Sequence, residues 1–293
     1  MDALAYDLKE LTTRAGDGSY STRAIRHRGL QAIARDLRGM GFKLPGARAL
    51  KPKHVTALLG KWKEEGLGDG TLKNRMGWLR WWASSVRKSS IMLPSNEDYG
   101  IGQRDRFKGD RSNRLDRERL AKVRDPLVRY SLQLQAAFGL RREEAIKFRV
   151  AYADRGNKLV LKPSWTKGGR YREIPVSHPK QRALLDEIRD AVGDRALIPD
   201  GTLYKDQLSR YKHEVAQSGI GRGHGLRHAY AQWRYKVLTG RDCPAKGGEP
   251  AVAMGREEAE RDRWAREIIA EELGHGRIDV TDAYLGRRTG GAK

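Results

Sequence analysis

Five separated segments in the second half of the chain hold side chains suited to phosphoryl transfer. They are Gly139-Leu140-Arg141-Arg142-Glu143-Glu144, Thr166-Lys167-Gly168-Gly169, His224-Gly225-Leu226-Arg227-His228, Leu273-Gly274-His275 and Tyr284. A phosphodiester repels nucleophiles, and its transition state spreads more negative charge over the non-bridging oxygens, so fixed cations must point there. A guanidinium donates two parallel hydrogen bonds and stays charged at any working pH. We therefore assign Arg141 and Arg227 to a phosphate.

The other polar groups can supply a nucleophile and move protons. A tyrosine hydroxyl has a reference pKa of about 10, so Tyr284 needs a base or cationic surroundings near neutral pH. His224 is the predicted partner. The leaving oxygen requires a proton, which the ammonium of Lys167 can deliver from a flexible turn as a general acid. Glu144 follows Arg141 by three residues, on the same helical face, and can orient its guanidinium.

Each of these residues taken alone also has an ordinary structural explanation. Tyr284 is one of 11 tyrosines, and a single helical tyrosine usually packs in or beside a core. Lys167 can be a solvated turn residue, and Arg141 can simply form an ion pair with Glu144, worth roughly 0.2–0.5 kcal/mol. Ordinary explanations of this kind would have to hold for all five segments together, in this order along the chain, to remove the catalytic interpretation.

His224 and His228 are four residues apart and could bind a metal ion from one face of a helix. Arg227 lies between them and would oppose a bound cation, and no HExxH motif is present. We therefore predict no metal site and no cofactor, and assign His228 a supporting role.

The order of the five segments resembles the catalytic boxes of tyrosine recombinases of the phage integrase type. That pattern runs GLRxxE, a hairpin lysine, HxLRH, LGH and a tyrosine nine residues after the last histidine, and the step from His275 to Tyr284 is nine residues. Single boxes occur by chance in many proteins, whereas their order and final spacing together are specific. The segment GTLKNRMGWLRWW is similar to the end of the family's helical DNA-clamping domain.

The resemblance implies a site-specific DNA recombinase that cuts and rejoins strands through a 3′-phosphotyrosine at Tyr284. The two box histidines, His224 and His275, would assist the tyrosine and bind the phosphate, with His275 mainly donating to the phosphate. Because the tyrosine ester conserves bond energy, a free 5′-hydroxyl can reseal the strand without ATP. The expected partners are double-stranded DNA with specific sites, a homotetramer in the synaptic complex that is monomeric off DNA, and accessory proteins that bend DNA or set direction.

The spacing near the end of the chain departs from the family's pattern. From Arg227 to His275 is 48 positions, which is longer than is typical, so residues 240–255 are expected to form an inserted loop. Only nine residues follow Tyr284. This leaves little tail to dock into a neighbouring subunit, so subunit contacts are expected to come from that loop or the tyrosine segment.

Apolar spacing predicts the elements that position these side chains. Helices are predicted at 3–15, 21–40, 53–65, 69–86, 127–138, 203–216, 224–237 and 256–273, with a short one opening at Arg141. Strands at 158–161 and 170–176 flank a turn and predict a β-hairpin with Lys167 near its tip. The predicted fold is mainly α with a small β-sheet: a helical, SAM-like core-binding domain at 1–100, a linker rich in glycine and charge at 101–113, and an α+β catalytic domain at 114–293. The family forms a C-shaped clamp around DNA.

The fourth predicted helix has an apolar stripe formed by Leu72, Met76, Leu79 and Trp82. Its polar positions predict DNA contacts, although a solvated basic face is the alternative for each. The predicted DNA-binding residues are Thr71, Lys73, Asn74, Arg75 and Arg80.

Charge supports a polyanionic partner. The 293 residues include 59 Lys and Arg against 37 Asp and Glu, a formal net charge of +22, which attracts nucleic acid first and an anionic membrane second. No apolar run approaches the ~20 residues that span a bilayer, so no membrane association is predicted. Cys243 is the only cysteine and the N-terminal segment lacks secretory features, so a cytoplasmic, nucleoid-associated location in a prokaryotic or mobile-element host is expected.

Two other functions use the same residues. A type IB topoisomerase resembles this Arg, Lys, Arg, His and Tyr set and would relax supercoils as a monomer without strand exchange at defined sites. A DNA-binding protein that keeps the fold would regulate or package DNA without cutting it, and the complete set of six candidate catalytic residues disfavours this.

Overall fold

The computed structural model describes residues 2–103, 105–221 and 223–289 and is mainly helical with one two-stranded sheet, as the sequence predicts. The chain forms two compact units, Met1–Asp105 and Arg106–Lys293. Residues 101–113 are divided between them. Ile101 is buried in the core of the first unit, whereas the backbone N–H of Asn113 donates to the carbonyl of Gly225 in the second unit at 3.0 Å.

The first unit is a bundle of four α-helices, and their ends lie within one residue of the predicted ones. They are α1 Ala3–Arg14, α2 Tyr20–Gly39, α3 Pro52–Glu64 and α4 Asp69–Ser85. Local signals explain the starts: the Ser19 hydroxyl accepts from the N–H of Thr22 at 3.2 Å, and Pro52 occupies the first position of α3. The stripe predicted on α4 is buried in the core of this unit.

The second unit has nine α-helices and the two strands in its described residues. They are α5 Arg117–Ala121, α6 Pro126–Phe138, α7 Arg142–Ile146, α8 Val150–Ala153, β1 Lys158–Leu161, β2 Arg172–Pro175, α9 Pro179–Val192, α10 Tyr204–Ser218, α11 His224–Thr239, α12 Arg256–Glu272 and α13 Asp282–Leu285. The predicted end of α6 before Gly139 is confirmed, as is the short helix that follows Arg141. Residues 240–255 contain no α-helix, only two single turns of 3-10 helix.

The predicted β-hairpin is confirmed, but its second strand begins two residues later than predicted. β1 and β2 are antiparallel and pair Lys158 with Pro175 and Leu161 with Arg172. The connection is longer than a tight turn because a 3-10 turn precedes Thr166. The Thr166 hydroxyl then donates to the Arg170 carbonyl at 2.7 Å, which keeps Arg170 outside the strand.

Helix α9 was missed in the sequence analysis although its signals are local. Pro179 stands at its first position, and His178 caps it by accepting from the N–H of Lys180. Leu185 and Ile188 on its apolar face are fully buried in the main core of the second unit. Three- and four-residue apolar spacing after a capped proline predicts such a helix. In the described ranges, no helix is both long enough and apolar enough to cross a bilayer.

Candidate active site

A buried carboxylate organises the first arginine of the site. Arg141 stands just before α7, its backbone N–H donates to Glu144 Oε2 at 2.7 Å, and its Nη1 donates to Oε1 at 2.8 Å. Glu144 therefore orients this guanidinium in the structure. Burial by itself would raise the pKa of Glu144, but Arg172, then Arg141 and Arg227, lower it overall. The carboxylate is therefore ionised and holds Arg141 by charge.

Arg172 is a site residue that the sequence analysis missed. Its side chain is 2% exposed, and its Nη2 donates to Glu144 Oε2 at 2.6 Å. It stands on β2, where it is buried together with Ile174 while Glu173 between them is exposed. A charged residue on the core side of an alternating strand requires a buried partner, and that pattern could have indicated its role.

Three arginines meet at the turn between α12 and α13. Arg172 Nη1 donates to the Leu273 carbonyl at 3.0 Å, Arg227 Nη2 donates to the same oxygen, and Arg141 Nη2 reaches the Gly274 carbonyl at 3.4 Å. Gly274 has φ +62, and a Cβ there would lie 3.0 Å from Arg172 Cδ. Glycine therefore allows the guanidinium groups to approach this turn closely.

The candidate nucleophile meets the second arginine directly. Arg227 is 1% exposed, and its Nε donates to the Tyr284 hydroxyl at 3.4 Å. Its Nη1 donates to the Gly139 carbonyl, so Arg227 links three distant segments of the chain. Burial lowers the pKa of Arg227 to about 10, which leaves it charged at neutral pH. A fixed cation beside the phenol oxygen can stabilise negative charge that develops on it in a transition state.

Three histidine rings surround the ring of Tyr284. The distances between ring centroids are 4.5 Å for His228, 5.5 Å for His275 and 5.9 Å for His224. Burial lowers the pKa of all three, to about 4 for His228 and about 3 for His275, and Arg227 adds to the effect. The imidazoles are therefore neutral near pH 7, and a neutral imidazole can accept a proton.

The hydrogen bond between Arg227 and His275 defines the tautomer of that histidine. Arg227 Nη2 lies 3.3 Å from His275 Nε2. Since a guanidinium can only donate, Nε2 accepts and the proton of the neutral ring is on Nδ1. The predicted donor function of His275 toward a phosphate would therefore use Nδ1. Within the described chain, the buried Nδ1 of His228 has no hydrogen-bond partner.

Lys167 is the one predicted catalytic residue that the structure leaves apart from the others. It is exposed in the hairpin connection and makes no hydrogen bond or ion pair with any residue that the structure describes. The same connection nevertheless reaches the His275 turn: Arg170 Nη1 lies 2.5 Å from the point where a Cβ of Gly276 would be. The general-acid function of Lys167 stays a prediction.

The predicted DNA-binding residues of α4 differ in how far they are free to contact a partner. Thr71 and Asn74 are exposed and Lys73 is half-buried. Arg75 pairs with Asp36 at 3.4 Å and lies over the ring of Trp62, and Arg80 donates to Asn96 Oδ1 at 2.7 Å and to the Ser95 carbonyl at 2.9 Å. These two arginines therefore already have partners inside the first unit, and the DNA contacts stay a prediction.

The second unit thus gathers positive charge around one phenol. The carbonyls of Leu273 and Gly274 accept hydrogen bonds from Arg141, Arg172 and Arg227. Glu144 is the carboxylate that faces these guanidinium groups. The described residues contain no group of three or more His, Cys, Asp and Glu side chains placed to hold a metal ion. The arrangement can bind an anion such as a phosphodiester and place a nucleophile and a proton acceptor beside it.

Two family models match the sequence. One, described as the N-terminal part of phage integrase, matches residues 1–90, and one described as integrase matches residues 110–233. The second range contains Arg141, Lys167, His224 and Arg227. No curated protein matches the chain in sequence.

The fold is similar to solved structures of integrases. A lambda integrase fragment, solved as a dimer bound to a COC′ core site, gives a TM-score of 0.60 at 16% identity, covering 99% of this chain and 97% of that one. The Tn1549 transposon integrase with circular intermediate DNA gives 0.55 at 14% identity, covering 99% and 97%. A lambda integrase tetramer bound to a Holliday junction gives 0.55 at 16% identity, covering 98% and 78%.

Proposed function

The chain belongs to the phage integrase family of tyrosine recombinases, and from this premise we propose that Tyr284 is the nucleophile with which it cuts and rejoins DNA at specific sites. One observation carries the assignment of the nucleophile. The Tyr284 hydroxyl lies 3.4 Å from Nε of the fully buried Arg227, inside a ring of three histidines with lowered pKa values. A phenol packed only for structure does not require four basic groups around it.

The reaction can be written with these groups in named roles. Arg141 and Arg227 hold the non-bridging oxygens of the scissile phosphate. The Tyr284 oxygen attacks phosphorus and passes its proton to the neutral imidazole of His224 while the bond between phosphorus and the 5′ oxygen breaks. Lys167 gives the departing oxygen its proton. The products are a 3′-phosphotyrosine and a free 5′-hydroxyl.

Rejoining is the same step in reverse. A 5′-hydroxyl from a second strand attacks the phosphotyrosine, the new phosphodiester forms, and Tyr284 leaves with its proton restored. The ester conserves the energy of the broken bond, so these residues perform strand exchange without a nucleotide. Arg172 and Glu144 take no part in bond making and hold Arg141 in place.

The proposed partners follow from the charge and from the family. A net charge of +22 suits a long contact with double-stranded DNA. A tetramer that brings two sites together is proposed because the lambda integrase of similar fold was solved as a tetramer on a Holliday junction. Accessory proteins that set direction, and a host that carries a mobile element, are part of the same proposal.

Covalent capture of DNA tests the proposed function. A duplex sequence that the protein retains is first selected from a pool of random duplexes and then prepared with a nick, so that the released strand diffuses away. The wild type is expected to form an adduct that survives denaturant, whereas Tyr284→Phe forms none and still binds the duplex. Tyr211→Phe, which changes another buried tyrosine of the same unit, serves as the control and forms the adduct.

Two results would change the assignment. An adduct formed by Tyr284→Phe would show that another residue is the nucleophile. Relaxation of a supercoiled plasmid by the monomer, independent of the selected sequence and without strand exchange, would favour a type IB topoisomerase instead.

A further inference from the structure

The helix that carries Tyr284 cannot position itself. α13 has four residues, Asp282–Leu285, and ends at Gly286. A helix of one turn is unstable on its own because nucleation fixes several residues for a single hydrogen bond. Contacts with other parts of the second unit must therefore determine where the Tyr284 hydroxyl lies.

Arg266 of α12 binds both ends of this helix. Its Nη1 donates to Asp282 Oδ1 at 3.0 Å and to the Gly286 carbonyl at 3.1 Å. Its Nε donates to the carboxylate of Asp262 at 2.9 and 3.0 Å. The Arg266 side chain is fully buried. Arg266 therefore fixes the tyrosine helix rigidly from the side that faces α12.

Residues 240–255 contact the tyrosine segment from another side. Gly286 has φ +87, and a Cβ there would lie 2.6 Å from the backbone nitrogen of Ala245 and 2.9 Å from Cβ of Pro244. Glycine thus allows the loop to pack directly on the end of α13. Two residues further, the N–H of Val252 donates to the Arg288 carbonyl at 3.2 Å.

A chain of polar contacts joins the same loop to the backbone of Tyr284 itself. Lys246 Nζ lies 2.7 Å from Asp110 Oδ2, and Gln232 Nε2 donates to Asp110 Oδ1 at 2.8 Å and to the Tyr284 carbonyl at 3.0 Å. Although burial opposes it, hydrogen bonds from Lys246 and Gln232 hold the pKa of Asp110 well below its usual range. The Asp110 carboxylate is therefore charged near neutral pH.

We propose that residues 240–255 are a positioning element for DNA cleavage: through Lys246, Asp110 and Gln232, and through the contact at Gly286, they hold the Tyr284 helix on its own catalytic unit. The inference rests on the proposed function, since it needs Tyr284 as the nucleophile. Lys246 is a positioning residue that acts through Asp110 and touches no reacting atom. Arg266 supplies the other half of the support.

Substitution of Lys246 tests this element. Lys246→Ala removes the cation from Asp110, and Lys246→Arg restores one. The matched control is Lys236→Ala, which removes an ion pair with Asp242 at 3.1 Å at the beginning of the same segment and leaves the contacts of Lys246, Asp110 and Gln232 in place. Hydrogen exchange of the backbone amides of residues 280–289 is measured in the free protein, and single-turnover cleavage of the selected nicked duplex is measured over a range of DNA concentrations.

In Lys246→Ala we expect amide exchange across 280–289 to accelerate by about two- to fivefold, the change in an equilibrium that a partly exposed ion pair produces. The cleavage rate constant at saturating DNA should fall by a similar factor, with the half-saturating DNA concentration nearly unchanged. Lys246→Arg should restore both quantities, and Lys236→Ala should alter neither.

Other outcomes would overturn the inference. Unchanged exchange at 280–289 in Lys246→Ala would show that the loop does not hold the helix. Faster exchange with an unchanged cleavage rate at saturating DNA would show that the contacts of the loop with the Tyr284 helix do not affect the reaction. If the wild type itself forms no adduct, the proposed function fails and the loop's role in cleavage falls with it, while the exchange result still reports whether the contact exists.

Discussion

The two units of the chain bury different kinds of side chain. The buried side chains of the first are mainly apolar and include the fully buried Trp62 and Trp82, while its buried ionisable residues, Arg26 and His54, keep 7% and 5% exposure. The second buries more ionisable groups and buries them more deeply, among them Glu144 at 0% and Arg227 at 1%. Apolar burial stabilises a fold, whereas burial of charge usually costs stability even when the charges are paired. The second unit gives up stability to hold guanidinium groups in fixed directions before a phosphate arrives.

The arginines of the first unit illustrate the contrast. Arg75 is 24% exposed, pairs with Asp36 and lies over an indole ring, so it can shift toward a bound phosphate at little cost. Arg227 cannot shift without breaking contacts to Gly139, Leu273 and Tyr284. The adjustable charges of the first unit are therefore suited to binding DNA, and the fixed charges of the second unit are suited to accelerating its cleavage.

Substitution of Arg227 should have the largest effect on the cleavage rate. Arg227→Lys retains the charge but cannot reach the Tyr284 hydroxyl and two carbonyls at once. Loss of such an oriented donor lowers a rate by about 100-fold or more, so single-turnover cleavage should fall by that factor. Arg75→Lys is the control in the first unit and should leave the rate at saturating DNA unchanged. Equal effects of the two substitutions would contradict the division of roles.

Loss of the Glu144 carboxylate should destabilise the second unit. Glu144→Ala leaves Arg172 buried without its carboxylate, and breaking a buried pair costs about 3–5 kcal/mol. Glu10→Ala removes a carboxylate of the first unit that is 35% exposed and pairs with Arg14 one helical turn away at 3.2 Å, where about 1 kcal/mol or less is expected. Urea denaturation, monitored by hydrogen exchange in the core of each unit, measures the loss of stability in both variants. A loss of similar size in the two variants would show that the buried carboxylate of Glu144 contributes no more to stability than an exposed one.

The buried histidines should make the stability of the second unit depend on pH. The pKa of His275 is about 3 in the folded protein and that of His228 about 4, against about 6.5 when unfolded. The unfolded chain therefore binds protons that the folded unit excludes, so stability is fully present above about pH 6.5 and falls as the pH drops below it, by at most about 1.4 kcal/mol per pH unit for each histidine.

The midpoint temperature of thermal unfolding of the second unit should accordingly decrease as the pH is lowered from 7.5 to 5. His275→Gln should make this decrease smaller. A midpoint that is constant over this range would mean that these histidines have the same pKa in the folded and unfolded protein.

The smallest expected effect is on DNA affinity. Lys73→Ala removes one half-buried cation of α4, and a lost phosphate contact lowers the slope of affinity against salt concentration by about 1. The cleavage rate at saturating DNA should not change. A slope equal to that of the wild type would remove Lys73 from the predicted DNA contacts.

Local patterns in the sequence were sufficient for much of this protein. Apolar periodicity and capping residues predicted the four helices of the first unit to within one residue, and the stripe from Leu72 to Trp82 is the buried face of α4. The order of the boxes predicted six catalytic residues, and the structure places three of them, Arg227, His275 and Tyr284, in contact with one another. Their catalytic roles stay predictions. Helix α9 was missed despite equally local signals.

Contacts between distant residues were decided only by the tertiary structure. Arg172 lies 28 positions from the carboxylate that it shares with Arg141, and Arg266 supports the Tyr284 helix from 16 positions away. Nothing in the spacing of residues 240–255 indicates that they pack on Gly286. Helix periodicity and caps depend on neighbours within a few residues, so a sequence displays them. The pairing of buried charges depends on which elements pack together, and that is settled only when the chain is folded.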